Sequence, residues 1–486
     1  MKKLSKNTLI YGLGSVLSKS IGILLLPLLT HYLTPNEYGV IGILLMFSVF
    51  FSSVISLGFG TSIGFVYFEK KDNQQKKDVI KMSFWALLIV GCAFALISFC
   101  FIDKITFLIL GDNNYSYLTL LVIFSTVIST ISMPLILNIQ FLEKAKEFVI
   151  CNFIISIFSL FINIFFVIIL KRGLKGYFES YLFAQALSFF IFSFLNKFDF
   201  KFTFDKQVLV KLVKYGLPMV PSFFSLFIIA QSNRYILRYI FNLDSVGIYT
   251  VGYNIGSITQ IIVNAFQNAW TPYFFSFYHK QEEAIEHFGQ ILKFFIIIMG
   301  FICLCFFIFA KFVVMFFISD QFLSAYKIIG FIALSNLFLG LYSILLPPMY
   351  FEKEVKYTSL IQMITAIFTI VVNIPLIFYY KELGASIGFC FGYFFMFLLT
   401  WLFNNYKSKS KLKNYKKDPK IIKIVVLFSI FMTLSLVNRN FGVFWEFFFS
   451  TFLFFLLIAL TYSILDIKDK EKLKNFFIHS GFLRSN

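Results

Sequence analysis

The sequence predicts an all-α polytopic membrane protein. About 14 transmembrane helices form two pseudo-symmetric six-helix bundles around a central cleft, with two extra C-terminal helices. Three observations carry this. Of 486 residues, 59% are apolar and 14% charged, where soluble chains average about 25% charged. The apolar residues fall in runs of roughly 20 or more, the length that spans hydrocarbon. Landmarks also recur along the chain at an offset of about 205–210 residues. With 72 Phe and so few charges, a soluble enzyme, a disordered scaffold and a secreted disulfide module are excluded. The net charge of +19 sits between apolar runs rather than on one basic face, which argues against a nucleic-acid partner.

Polar clusters divide the chain into segments 8–31, 38–66, 82–102, 115–142, 148–170, 174–195, 212–241, 246–272, 288–317, 322–350, 358–380, 384–404, 421–438 and 443–465. Backbone groups in hydrocarbon must pair internally, and these runs exceed a barrel strand, so each reads as a helix. Met1-Lys2-Lys3 leads into a first span too long for a signal-peptide core. With the N-terminus in the cytoplasm, 31 Lys and Arg fall on the cytoplasmic side and nine on the other, with three inside spans. This bias obeys the positive-inside rule for two cytoplasmic termini. The Lys-rich stretch 406–420 reads as a solvated linker, with docking to anionic head groups as its alternative.

The offset appears as Tyr11-Gly12-Leu13 against Tyr215-Gly216-Leu217, and Glu143-Lys144 against Glu352-Lys353. It continues as Asn163-Ile164 against Asn373-Ile374, and Lys171 against Lys381. Six spans per repeat is an even number, so both halves run the same way, related by an axis along the membrane normal. The domains expected are 1–204 and 205–410, one bundle each, and 411–486, a linker with helices 13 and 14 and a tail.

Candidate site residues follow from polar side chains inside spans. Lys19 lies eleven residues beyond Thr8, roughly 16 Å deep at helical rise. A Lys at bilayer centre costs at least about 2.5 kcal/mol. It reads as lining an aqueous lumen, or else as pairing across helices or snorkelling. Gln231, Arg234 and Arg238 share one helix face. Arg234 is expected at the lumen and Arg238 at the outer interface. Asn254, Gln260, Asn264 and Gln267 form an amide stripe that either lines water and sugar or bonds neighbouring helices. Pro218 and Pro221 interrupt the start of span 7, as a hinge or a static kink, and Pro27, Pro134 and Pro375 read likewise. No catalytic residue and no metal site are expected: the six Cys sit in apolar runs and the four His are not paired. There is no GxxxxGK[ST] sequence for ATP. The spans hold no convincing buried acid, Glu179 near the outer interface being a weak exception. Intramembrane cations and amides together point to an anionic substrate that bears hydroxyls.

The opening KNTLIYGLGSVLSKSIGILLLPLLTHYLTPNEYGVIGIL and the later KYGLPMVPS resemble the polysaccharide-type exporters of the multidrug/oligosaccharidyl-lipid/polysaccharide superfamily. Among these the chain is similar to the O-antigen and capsule flippases called Wzx. The resemblance implies a bacterial cytoplasmic (inner) membrane flippase with no enzymatic activity. It would move undecaprenyl-diphosphate-linked oligosaccharide repeat units from the cytoplasmic to the periplasmic leaflet by alternating access, for surface polysaccharide or lipopolysaccharide synthesis. It also implies a cationic cavity, onto whose spans Lys19 and Arg234 fall. No cofactor is implied beyond a proton or sodium gradient. Membrane lipids, a polysaccharide polymerase and a chain-length regulator are the candidate partners. The alternatives are a drug or cation antiporter of the same fold and, from another class, a membrane polysaccharide polymerase or glycosyltransferase.

Overall fold

The computed structural model describes residues 14, 21–22, 24–278, 280–406, 419–437 and 443–464. Lys19 and most of the Lys-rich linker lie outside them. The described residues contain helices and no strand. The first half begins with α1 (residues 24–32) and α2 (Pro35–Ser56). Thr34-Pro35-Asn36-Glu37 closes a capping box: Thr34 Oγ1 accepts from the Glu37 N–H at 3.3 Å, and Glu37 Oε2 accepts from the Thr34 N–H at 2.8 Å. A break at Leu57-Gly58, both at positive φ, leads into α3 (Phe59–Glu69). Next come α4 (Asn73–Cys100), α5 (Ile102–Leu110), α6 (Ser116–Phe141), α7 (Ala145–Asn163) and α8 (Gly173–Leu195). A π-helical turn, Ile164–Ile169, extends α7.

The second half opens with α9 (Lys206–Gly216), a 3-10 turn at Leu217–Met219, and α10 (Val220–Ile240). Then follow α11 (Leu243–Gly256), α12 (Ile258–Phe275), α13 (Gln281–Phe317), α14 (Tyr326–Ile344) and the short α15 (Pro347–Phe351). The last three are α16 (Lys356–Tyr406), α17 (Pro419–Val437) and α18 (Val443–Ile464). The two segments expected at 358–380 and 384–404 run together as α16, broken only by the non-helical φ/ψ of Lys381. Pro375 and Pro134 stay inside their helices, so Lys381 rather than proline makes that break. Among the described residues nine helices are long and apolar enough to cross a membrane, ten if the bent pair α11–α12 is one span. Fourteen therefore remains an expectation.

The repeat offset is visible in the backbone. Positive φ recurs at Glu143 and Lys353, and at Lys171 and Lys381. Three apolar clusters organise the packing. One belongs to the first half, around Ile55, Leu87, Ile123 and Leu135. A second joins α12, α13 and α14 to α17 and α18, around Phe288, Leu304 and Leu457. The third is shared by both halves, with Val40, Ile43, Phe178, Val246 and Tyr249 at its centre. Although the expected boundary at 205 precedes α9, its Val208 and Leu212 are buried in the first half's cluster.

At the N-terminal ends of α2 and α11 the halves meet through glycine. A Cβ on Gly39 of α2 would overlap the Leu243 carbonyl oxygen, and one on Gly247 of α11 would overlap that of Pro35. The contact is reciprocal, as a two-fold relation demands. Only hydrogen fits at either position. Overpacking a core costs about 1–3 kcal/mol when side chains can yield; here the obstacle is backbone. Gly39→Val or Gly247→Val should therefore lower the thermal unfolding midpoint of the detergent-purified protein by several degrees. Gly64→Ala, whose Cβ would meet only the Phe141 ring at 3.5 Å, should leave it unchanged.

Candidate functional site

A cavity of about 310 Å³ adjoins the glycine seam, with walls from both halves. The first half contributes Gly22, Tyr38 and Gly42, Ser159 and Asn163 of α7, and Tyr177 and Tyr181 of α8. The second half contributes Gln231 and Arg234 of α10, and Thr250 and Asn254 of α11.

Arg234 is the charge of this site. It is 6% exposed, its Nη1 donates to Gln231 Oε1 one helical turn back, and its Nε is buried with no partner among the described residues. Its guanidinium carbon lies 4.4 Å from the Tyr253 ring centre and 5.7 Å from that of Tyr249. Both are within cation–π range. No carboxylate among the described residues pairs with it. Glu179 behaves oppositely. It is also buried, but it accepts from Arg172 Nη2 at 2.8 Å and from the Tyr117 hydroxyl at 3.3 Å.

The residue next to Arg234 sets its direction. Asn233 is fully buried; its Nδ2 donates to the Tyr249 hydroxyl and the Ala385 carbonyl, each at 3.1 Å, and its Oδ1 accepts from Asn373 Nδ2. These bonds tie α10 to α11 and α16 and fix its rotation. Arg234, about 100° further around the helix, then lines the cavity.

The other expected residues divide. Gln231 and Asn254 line the cavity with Arg234. Gln260 and Asn264 are half-buried on α12, outside that lining. Gln267 Nε2 donates to Ser343 Oγ at 2.6 Å, so its amide serves helix packing. The 45° bend between α11 and α12 divides the stripe, because the two helices no longer share one face. Arg238 is half-buried beside Gly111, where a Cβ would overlap its Nη2. It thus meets the first half outside the cavity. Pro218 sits in the 3-10 turn and Pro221 in the first turn of α10, placing the break that the sequence predicts there. Ser159, Asn163, Tyr177, Tyr181 and Thr250 line the cavity without having been expected at the site from sequence. Asn163 stood out only as a repeat landmark.

A polysaccharide biosynthesis protein family matches residues 28–327. The "Lsg locus putative protein 1" of Haemophilus influenzae is 23% identical over 297 residues, covering 58% of this chain and 69% of the relative. Among solved structures, lipid II flippase MurJ in an inward closed conformation superposes with a TM-score of 0.70 at 15% identity, over 96% of this chain and 98% of that one. A multidrug resistance MATE family transporter of the MOP superfamily superposes in its inward-facing form with a TM-score of 0.64 at 13% identity, over 85% and 96%. In an outward-facing conformation the TM-score is 0.56 at 15% identity, over 85% and 97%. These likenesses place the fold in that two-lobed helical class.

A buried guanidinium without a counter-charge costs stability, whereas a satisfied amide network supports it. Arg234→Met should accordingly hold or raise the thermal unfolding midpoint of the purified protein. Asn233→Leu should lower it, by the equivalent of at least about 2 kcal/mol, because it leaves Tyr249, Asn373 and the Ala385 carbonyl without partners.

Proposed function

The chain belongs to the polysaccharide biosynthesis protein family, and on that premise we propose that it flips an undecaprenyl-diphosphate-linked oligosaccharide across the bacterial cytoplasmic membrane. One observation carries the reading. The cavity between the halves presents a buried guanidinium with no carboxylate partner among the described residues. Such a charge is completed by an anionic ligand, and a diphosphate is the anion that a lipid-linked sugar brings.

The rest of the chemistry is binding and passage. A diphosphate and its sugars cannot cross hydrocarbon unaided, because buried charge and unpaired hydroxyls are costly. A polar cavity between two bundles lets the head group pass inside while the prenyl chain stays in lipid. A second cavity of about 480 Å³, lined by apolar residues such as Ile296, Leu337, Phe397, Trp401 and Phe428, supports the reading as a surface for that chain. Release of the seam at Gly39 and Gly247 would open the cavity on that side, as alternating access requires. The cytoplasmic position of both termini, coupling to a proton or sodium gradient, and handover to a polymerase and chain-length regulator belong to the same proposal. Lys19, three residues before the cavity-lining Gly22 in sequence, is proposed as a second cation on the same path. A drug or cation carrier would be served by an acid at this site, and among its described lining residues none is acidic.

The test uses a strain lacking the gene. Lipid-linked single repeat units should accumulate and react with a membrane-impermeant lectin only after spheroplasts are lysed. Arg234→Met and Lys19→Ala, expressed and inserted normally, should fail to restore surface polysaccharide. Arg234→Lys and Lys19→Arg should restore part of it. Repeat units already reachable from outside in the deletion strain, or full polysaccharide from Arg234→Met, would overturn the proposal.

A further inference from the structure

Two residues that line the central cavity each keep a buried polar atom with no partner among the described residues: Arg234 Nε and Asn163 Oδ1. Arg234 belongs to the second half. Asn163 belongs to the first. Buried polar atoms in folded proteins are paired in the large majority, so two orphans facing one cavity from opposite halves point to a ligand that completes them. A guanidinium N–H asks for an acceptor. An amide oxygen asks for a donor. A bare diphosphate supplies only acceptors, so it satisfies Arg234 and leaves Asn163 unmet.

The orientation of Asn163 is set by its own helix. Its Nδ2 donates to the Ser159 carbonyl at 2.9 Å, and turning the amide over would set oxygen against oxygen. It is 4% exposed and stands at the last α-helical position of α7, where the π turn Ile164–Ile169 begins. Turns of that kind are frequent at functional sites. Its repeat mate shows what the same residue does without a ligand role. Asn373 spends its Nδ2 on Asn233, and its Oδ1, also without a partner among the described residues, is packed against Gly388, where a Cβ would overlap it. There is no room for a ligand atom there. The same amide is thus locked into the core in one half and placed at the cavity in the other.

Resting on the reading of the cavity as a diphosphate-sugar site, we infer that Asn163 is a specificity-determining residue whose Oδ1 accepts a hydrogen bond from a sugar hydroxyl, while Arg234 across the cavity holds the anion. The head group then bridges the two halves, one polar contact on each. Asn163 is the element that distinguishes a sugar-bearing prenyl diphosphate from a bare one.

The experiment uses the full chain in nanodiscs and two probes, farnesyl diphosphate and farnesyl-diphospho-glucose, with Kd measured by calorimetry. The unaltered protein should bind the glucose probe about 5- to 10-fold more tightly, the worth of one hydrogen bond to a buried acceptor. Asn163→Leu should erase that ratio while leaving the affinity for farnesyl diphosphate unchanged. Arg234→Met should weaken both probes. Among monodeoxy-glucose probes on the unaltered protein, one should lose the preference, which keeps the test intact if Asn163→Leu does not fold. A ratio of one in the unaltered protein, an unchanged ratio in Asn163→Leu, or equal binding of every monodeoxy probe would overturn the inference about Asn163. Arg234→Met binding both probes as tightly as the unaltered protein would instead overturn the reading on which it rests.

Discussion

The site depends on how closely two helix backbones approach each other. Gly39 and Gly247 each face the other half's carbonyl oxygen at a distance that admits no side chain. The neighbours of those glycines then have no choice of place. Tyr38 and Gly42 on one side and Thr250 on the other form part of the cavity wall. Without a hydrophobic drive between helices in lipid, close packing of small residues is what holds such a junction.

Two buried charges show the protein handling the same physics in opposite ways. Glu179 is neutralised in place by Arg172 and supported by Tyr117. Arg234 is given aromatic faces and a glutamine instead of an acid. Rings lower the cost of the guanidinium without cancelling its charge. The arrangement keeps an unspent positive charge on a buried side chain, where electrostatic attraction is less screened than in bulk water. Sites of this kind commonly trade stability for function.

The internal repeat adds a second asymmetry. Backbone features recur at corresponding places, as the positive φ of Lys171 and Lys381 shows. Side-chain surroundings do not follow. Both amides donate through Nδ2 and leave Oδ1 without a partner among the described residues, but Asn373 closes a network with Asn233 and packs its oxygen on Gly388, while Asn163 lines the cavity. One half thus supplies the rigid mount for the cation, and the other supplies the polar wall opposite it.

By itself the sequence determined the class of solvent and therefore the class of fold. Runs of apolar residues place the backbone in hydrocarbon, where only internally paired structure survives, and Pro218 and Pro221 mark the start of α10. Arg234 and Gln231 were legible as site residues because a charge and an amide one turn apart on an apolar helix are too costly to leave facing lipid. Asn163 and Thr250 were not, since small polar residues serve packing as often as binding, and spacing cannot distinguish the two. Nor was the division of the amide stripe, which turns on a 45° bend between α11 and α12. The tertiary structure alone decided which faces meet across the halves, because that depends on backbone approach at Gly39 and Gly247, between residues about two hundred positions apart.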